Sequence, residues 1–376
     1  MAIKGNNGFS PRRQVCREWP SALVPSARFP TFLQTLILVI LCVALLSGCA
    51  SLDYYGQSIR GQASLLLKAQ PINELLADPA IDRQIKAKLH RVLKLRRFAS
   101  EVLALPDNES YTRYVDLHRS YVVWNVFAAP ALSVVPREWC FPVVGCVAYR
   151  GYFAEADART FAASLAGQGL DVFVGGVTAY STLGWFDDPM LNTIINRPEA
   201  ELAGLIFHEL AHQVVYVSGD SAFNESFATS VELEGARRWF ERLGLPQQSR
   251  DYRYKKAIEQ ELIDLIMDYR GRLEVAYRGE ATDKEKLIEK KKLIAELKTD
   301  YKKMRKYKKT QSAYDGWFAQ DLNNAHIASI GTYHQFVKGF ERLLADNGGE
   351  LPAFYAAVRK LSKKPAAERH AALTVD

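Results

Sequence analysis

Apolar positions follow a helical period over most of this chain. From Pro79 to Leu105 they fall at Ile81, Ile85, Leu89, Val92, Leu93, Phe98, Val102 and Leu105, and Pro106-Asp107-Asn108 ends the run. Shorter helical pieces precede it at Leu65–Leu67 and Ile72–Leu76. Between residues 130 and 180 the pattern changes. Val143–Tyr149 and Leu170–Val174 are β-rich runs bounded by Gly and Pro, with a helical stretch from Ala154 to Leu165 between them. Leu202, Leu205, Ile206, Leu210, Val214 and Val217 then share one helix face, which Ser218-Gly219-Asp220 terminates. A further helix is expected over Asn224–Leu243, and apolar runs resume from Trp317 to Leu361.

Residues 253–310 read as two charged helices, each with an apolar stripe. Ile258, Leu262, Leu265, Tyr269, Leu273 and Ala276 line one; Leu287, Ile294, Leu297, Tyr301 and Met304 line the other. Gly279-Glu-Ala-Thr-Asp283 separates them, which predicts an antiparallel helical hairpin. The expected fold is α+β and mostly helical. Five segments are read: 1–48 as a signal, 49–129 as a helical N-terminal part, 130–250 as the core, 251–310 as the hairpin, and 311–376 as a C-terminal helical part completing a cleft.

The chain of 376 residues has ordinary globular composition, 24% charged and 11% aromatic, which excludes a disordered or collagen-like polymer. Its net charge of +7 raises the question of nucleic acid, but the distribution answers it. Residues 253–310 hold 18 Lys/Arg against 11 Asp/Glu on a helical, acid-interleaved stretch, and no reading motif accompanies them. No nucleic-acid partner is expected, and the hairpin's own partner is not named by the sequence.

Arg12, Arg13, Arg17 and Arg28 precede an uncharged stretch from Phe29 to Gly48. A basic region, an apolar region and small residues at its end have the form of a secretory signal. Leu46-Ser47-Gly48-Cys49 resembles the bacterial lipobox, which implies lipidation at Cys49 and a lipid anchor in the membrane. Ala50, rather than Asp, then implies the periplasmic face of the outer membrane in a diderm cell envelope. The rival reading is a retained transmembrane anchor. Of the five cysteines, Cys140 and Cys146 remain in the mature chain outside the lipid site. In an oxidising compartment they form a disulfide, or else stay as two buried thiols.

Phe207-His208-Glu209-Leu210-Ala211-His212 is an HExxH sequence on an expected amphipathic helix. Residues four apart share a helix face, so both imidazoles can bind one zinc ion while Glu209 stands beside its open position. A third ligand is needed for a catalytic site. Asn224-Glu225 opens the next helix and is similar to the Asn-Glu pair of thermolysin-like and other Glu-zincins, which makes Glu225 the third ligand. Thr229 stands where thermolysin-like enzymes carry an Asp that orients a ligand, leaving Asp220 or Glu232 as candidates for that contact.

Trp139-Cys-Phe-Pro142, Tyr149-Arg-Gly-Tyr-Phe153, Ala179–Trp185, Asp188-Pro189, the His208–Glu225 block and Leu322-Asn-Asn-Ala325 together resemble a bacterial family of predicted zinc aminopeptidases. The resemblance implies a zincin-like core, a zinc cofactor and a peptide substrate. The Gly-x-Met-Glu-Asn amine-binding motif of the large Glu-zincin aminopeptidases does not occur in this sequence. Glu209 is expected to act as general base, with Tyr333 or His334 as a donor to the oxyanion or, alternatively, as packing. Thr178, Ala179 and Tyr180 are expected either on an edge strand that pairs with substrate or in a loop packing Tyr180 and Trp185. His90, His118, His326 and His370 read as surface or helix-face residues. Two other functions compete: a lipid-anchored scaffold with a structural zinc, and a zinc amidase acting on cell-wall peptides.

Overall fold

The computed structural model describes residues 53–141, 145–179, 181–182, 184–308, 314–330 and 335–374. The apolar 29–48 stretch, Cys49, Tyr180, Tyr333 and His334 lie outside the described residues. The chain divides into two units, 1–55 and 56–376. Of the first, only helical residues 53–55 are described; every strand and every helix from residue 56 onward belongs to the second.

Helix α1 covers residues 56–68. Strand β1 (Gln70–Pro71) leads into α2 (Ile72–Ala77) and α3 (Arg83–Glu101). Asp82 caps α3 by accepting from the Gln84 and Ile85 amides, and Leu89, Val92, Leu95, Phe98 and Ala99 form its buried face. Strand β2 (Arg113–Val115) pairs antiparallel with β1. Strand β3 (Val123–Pro130) is followed by the short strands β4 (Trp139–Phe141), β5 (Gly145–Val147) and β6 (Arg150–Tyr152). Helix α4 (Glu155–Ala166) and strand β7 (Leu170–Val177) come next.

Strand β3 is the centre of a sheet ordered β6-β3-β7. Its antiparallel register with β7 runs unbroken from Val123 opposite Val177 to Pro130 opposite Leu170. The division expected at 129/130 therefore runs through this strand. Val123-Trp-Asn-Val-Phe-Ala-Ala-Pro130 carries no strand signal because most of both its faces is buried, which removes the alternation of a half-exposed strand. Strands β4 and β5 pair separately, with Cys140 opposite Cys146 and their sulfurs joined in a disulfide.

Strand β8 (Met190–Leu191), parallel to β2, feeds α5 (Asn192–Ile195) and then α6 (Glu199–His212). Helix α7 (Ser221–Arg242) is buried along most of its length and crosses α6 closely. A Cβ at Gly235 would lie 2.6 Å from the Phe207 ring and 2.8 Å from Leu103, so only glycine permits that approach. The long helices α8 (Pro246–Arg278) and α9 (Asp283–Lys308) form the expected hairpin. The chain ends with α10 (Asp315–Phe318), α11 (Asn324–Ser329), α12 (Val337–Asp346), α13 (Leu351–Ser362) and α14 (Ala366–Leu373).

Two apolar clusters result. The larger joins α2, α3 and α5–α7 to α12–α14, with Phe207, Phe227 and Phe340 fully buried. The smaller packs hairpin residues such as Leu262, Ile266, Leu273, Leu293 and Leu297 against Val134, Trp317 and Ile327. Architecture is thus mostly helical with small sheets, as the periodicities imply. No helix among the described residues is long and apolar enough to cross a membrane.

Candidate metal centre

Helix α6 stops at His212, one turn short of the expected Val217. The cause is Asn224, whose amide accepts from the Val217 N–H and donates to the Val217 carbonyl, both at 2.8 Å. Those backbone groups therefore serve a loop rather than another helical turn. Asp220 caps the following helix by accepting from the Phe223 amide at 3.1 Å. Cap and clamp together fix the first turns of α7, and these carry Glu225 toward the end of α6.

His208 and His212 present their Nε2 atoms to each other at 3.2 Å. The Glu225 carboxylate lies 3.2 Å from His208 Nε2 and 3.7 Å from His212 Nε2. All three ligand atoms fall within 4.8 Å of one another. A tetrahedron with zinc-to-ligand bonds of about 2.0–2.2 Å has edges of roughly 3.3–3.6 Å, so this donor set fits one tetrahedral cation. Two imidazole nitrogens aimed at each other beside a carboxylate gain little from one another, and a cation between them would satisfy all three. The donors are two imidazole nitrogens and a carboxylate oxygen, a set that zinc accepts along with other first-row divalent ions.

Electrostatics favour positive charge at the same place. Burial opposes a proton on His208, yet hydrogen bonds to Glu225 and Glu232 overcome it and raise the ring to about 10. His212 is pushed down to about 4 by burial and by the charge on His208. Glu209, half-buried beside them, is pushed up to about 7 by burial, with Glu225, Asp188 and Glu232 adding to the effect.

Of the two candidates for a carboxylate behind the ligands, Glu232 holds the position. Its Oε2 lies 3.0 Å from His208 Nδ1, fixing the ring from the side away from the cluster. Glu232 is seven residues after Glu225, two turns along the same face of α7. Asp220 instead binds Arg369 and His370 in the C-terminal helix.

Thr178 follows strand β7, an edge of its sheet, but its polar groups are engaged inside the protein. Its carbonyl accepts from Thr193 Oγ1 at 2.6 Å and its hydroxyl from Arg197 at 2.7 Å. Ala179 packs against the larger core. Of the two expected arrangements, a substrate-pairing strand or a packed loop, these contacts belong to the second, and Tyr180 lies outside the described residues. His326 is also no surface residue: it is 4% exposed and stacks on Phe173.

The structure adds neighbours that no motif announces. Tyr111 is buried in a left-handed backbone conformation (φ 64°), and its phenol is pushed well up by burial and by nearby Glu209 and Asp188. Tyr216, 40% exposed, sets its ring 6.5 Å from that of His212. The loop before β8 is pinned by Asp188, which accepts from the Thr182 amide at 2.9 Å and hydroxyl at 2.8 Å. That loop exposes Trp185 and Phe186 and packs Gly184 against Gln213, the residue after the second histidine.

The chain belongs to a protein family described as "Putative aminopeptidase", whose model matches residues 53–373. Comparison with curated proteins gave no match, and comparison with solved structures gave none either. Family membership supports a peptidase-like function acting on peptides.

Proposed function

We propose that this chain is a zinc-dependent metallopeptidase, an aminopeptidase anchored by lipid in the cell envelope. One observation carries the reading: His208 Nε2, His212 Nε2 and the Glu225 carboxylate converge within 4.8 Å, with Glu209 on the same turn of α6. His208, His212 and Glu225 would hold the ion. When bound, zinc supplies an acidified water and a polarised scissile carbonyl. Glu209 accepts the proton of the attacking water and returns it to the leaving amine. Glu232 keeps His208 Nδ1 as a donor, so its Nε2 lone pair faces the site. His212 and Glu232 are buried, while Glu225 keeps about a third of its side chain exposed, which leaves one side of the cluster open to water and substrate. The envelope location is supported by the basic region, the apolar stretch and Leu46-Ser-Gly-Cys49.

The test uses the full chain in detergent, loaded with zinc, on matched peptides with free and acetylated N-termini. Stepwise loss from free ends only, absent in Glu209→Gln, is the expected result. Internal cuts on both peptides would keep the zinc chemistry and remove the aminopeptidase assignment. No Glu209-dependent cleavage of either would overturn the peptidase reading and favour a cell-wall amidase or a scaffold with structural zinc.

A further inference from the structure

We infer that the root of the helical hairpin is a working part of the metal centre: Tyr252 and Lys256 are positioning residues that act on His208 through Glu232. The inference rests on the proposed binding of a metal ion by His208, His212 and Glu225. Near the start of α8, the Tyr252 hydroxyl donates to Glu232 Oε1 at 2.6 Å. Lys256 Nζ lies 2.7 Å from the same oxygen. The other oxygen, Oε2, faces His208 Nδ1 at 3.0 Å. Tyr252 and Lys256 are four residues apart, hence on one face of α8, which lets both reach one atom.

The two oxygens of Glu232 thus have separate tasks. Oε1 is held by an ammonium and a phenol from the hairpin, while Oε2 is left to accept from the imidazole. Glu232 is only 4% exposed, so without Lys256 its charge would stand in the interior with the Tyr252 hydroxyl and the His208 ring as partners and no opposite charge from the hairpin. Space for this arrangement comes from α6 itself. A Cβ at Gly204, one turn before His208, would lie 2.3 Å from the Tyr252 hydroxyl and 3.1 Å from Glu232 Cγ. Glycine there is the seat in which the hydroxyl rests. His212 offers a contrast, because its Nδ1 is buried with no hydrogen-bond partner among the described residues. Orientation of the ligand pair is therefore concentrated on His208, and three helices meet at its back. Glu259, 3.9 Å from Lys256 on the same helix, adds a weaker hold on the ammonium.

The experiment measures zinc affinity of the full chain by competition with a chromophoric chelator, alongside the melting temperature of the metal-free protein. Lys256→Gln is expected to weaken zinc binding about ten- to a hundredfold, Tyr252→Phe by less, and Lys256→Arg to recover most of the loss. Gly204→Ala, which displaces the Tyr252 hydroxyl, is expected to reproduce the Tyr252→Phe effect. A cobalt-substituted Lys256→Gln protein should also show an altered visible spectrum. If Lys256→Gln and Tyr252→Phe bind zinc as tightly as wild type while His212→Ala abolishes binding, the inference falls and the metal reading stands. Equal losses in Lys256→Gln and Lys256→Arg, matched by falls in metal-free melting temperature, would reduce the contact to packing and overturn it too. Wild-type protein that binds no zinc would overturn the metal reading itself, and the inference with it.

Discussion

Asn224, 2% exposed, commits both ends of its amide to Val217 and so holds the loop between the helices that carry His212 and Glu225. Asn224→Ala would leave an amide and a carbonyl without their partner, at a cost of about 2–3 kcal/mol. Urea unfolding should show this as a lower midpoint, with Asn224→Asp in between because it keeps the acceptor. His326 makes a pH-dependent prediction. Burial against Phe173 and Trp317 pushes its ring down to about 4, so the folded protein resists a proton that the unfolded chain accepts near 6.5. The stability it protects is complete above pH 6.5 and is lost as pH falls toward 4, at most about 3 kcal/mol. Denaturation at pH 7 and pH 5 should show a larger acid loss in wild type than in His326→Gln. Equal losses would mean that His326 is protonated in the folded state.

At the scale of elements, the C-terminal helix is tied to the start of the glutamate-bearing one. Arg369 on α14 places Nε and Nη2 at 2.9 and 2.6 Å from Asp220 Oδ2, and His370 Nε2 lies 2.8 Å from the same oxygen. Both Asp220 and Arg369 are only 7% exposed at the side chain, so Arg369→Met leaves a buried carboxylate with His370 and the Phe223 amide in place of its guanidinium, at a cost of about 3 kcal/mol. Despite burial, Arg369 and His370 hold the Asp220 carboxyl below its ordinary range. That contribution is present above the ordinary carboxylate pKa and lost as pH falls through the depressed folded value. The stability gap between wild type and Arg369→Met should therefore close in strong acid; a gap unchanged from pH 7 to pH 2 would count against the ion pair. What the sequence makes legible depends on distance along the chain. His208, His212 and Glu225 can be read because a helical turn and one short loop bring them together. Tyr252 and Arg369 cannot, because an isolated Tyr or Arg on a helix carries no trace of the carboxylate that tertiary packing will give it. Strand β3 escapes for a different reason, the burial that erases its alternation.

For the molecule as a whole, the charged hairpin of 251–310 is clasped to the rest of the fold at both ends. At its root, Tyr252 and Lys256 meet Glu232, and Lys255 pairs with Glu201 of α6. Toward its tip, the Tyr277 hydroxyl donates to Asn324 Oδ1 at 2.8 Å. Lys290, 8% exposed, reaches Asp171 of β7 and the Ala131 carbonyl. Between these clasps Leu262, Ile266, Leu273 and Leu297 form an apolar seam with Val134 and Ile327. Charge on the outer faces is what the sequence displays most loudly, and the buried seam is what decides the fold. Removing 251–310 should therefore abolish cooperative unfolding and zinc binding together, rather than release an intact core. Lys290→Met separates the two ends: it leaves Asp171 underpaired and should lower stability by about 3 kcal/mol. Because it leaves Tyr252, Lys256 and Glu232 in place, its zinc affinity should stay within about threefold of wild type, well short of the loss expected at the root. A large zinc defect in Lys290→Met would mean that the hairpin transmits displacement along its whole length, and that root and tip act as one lever on His208.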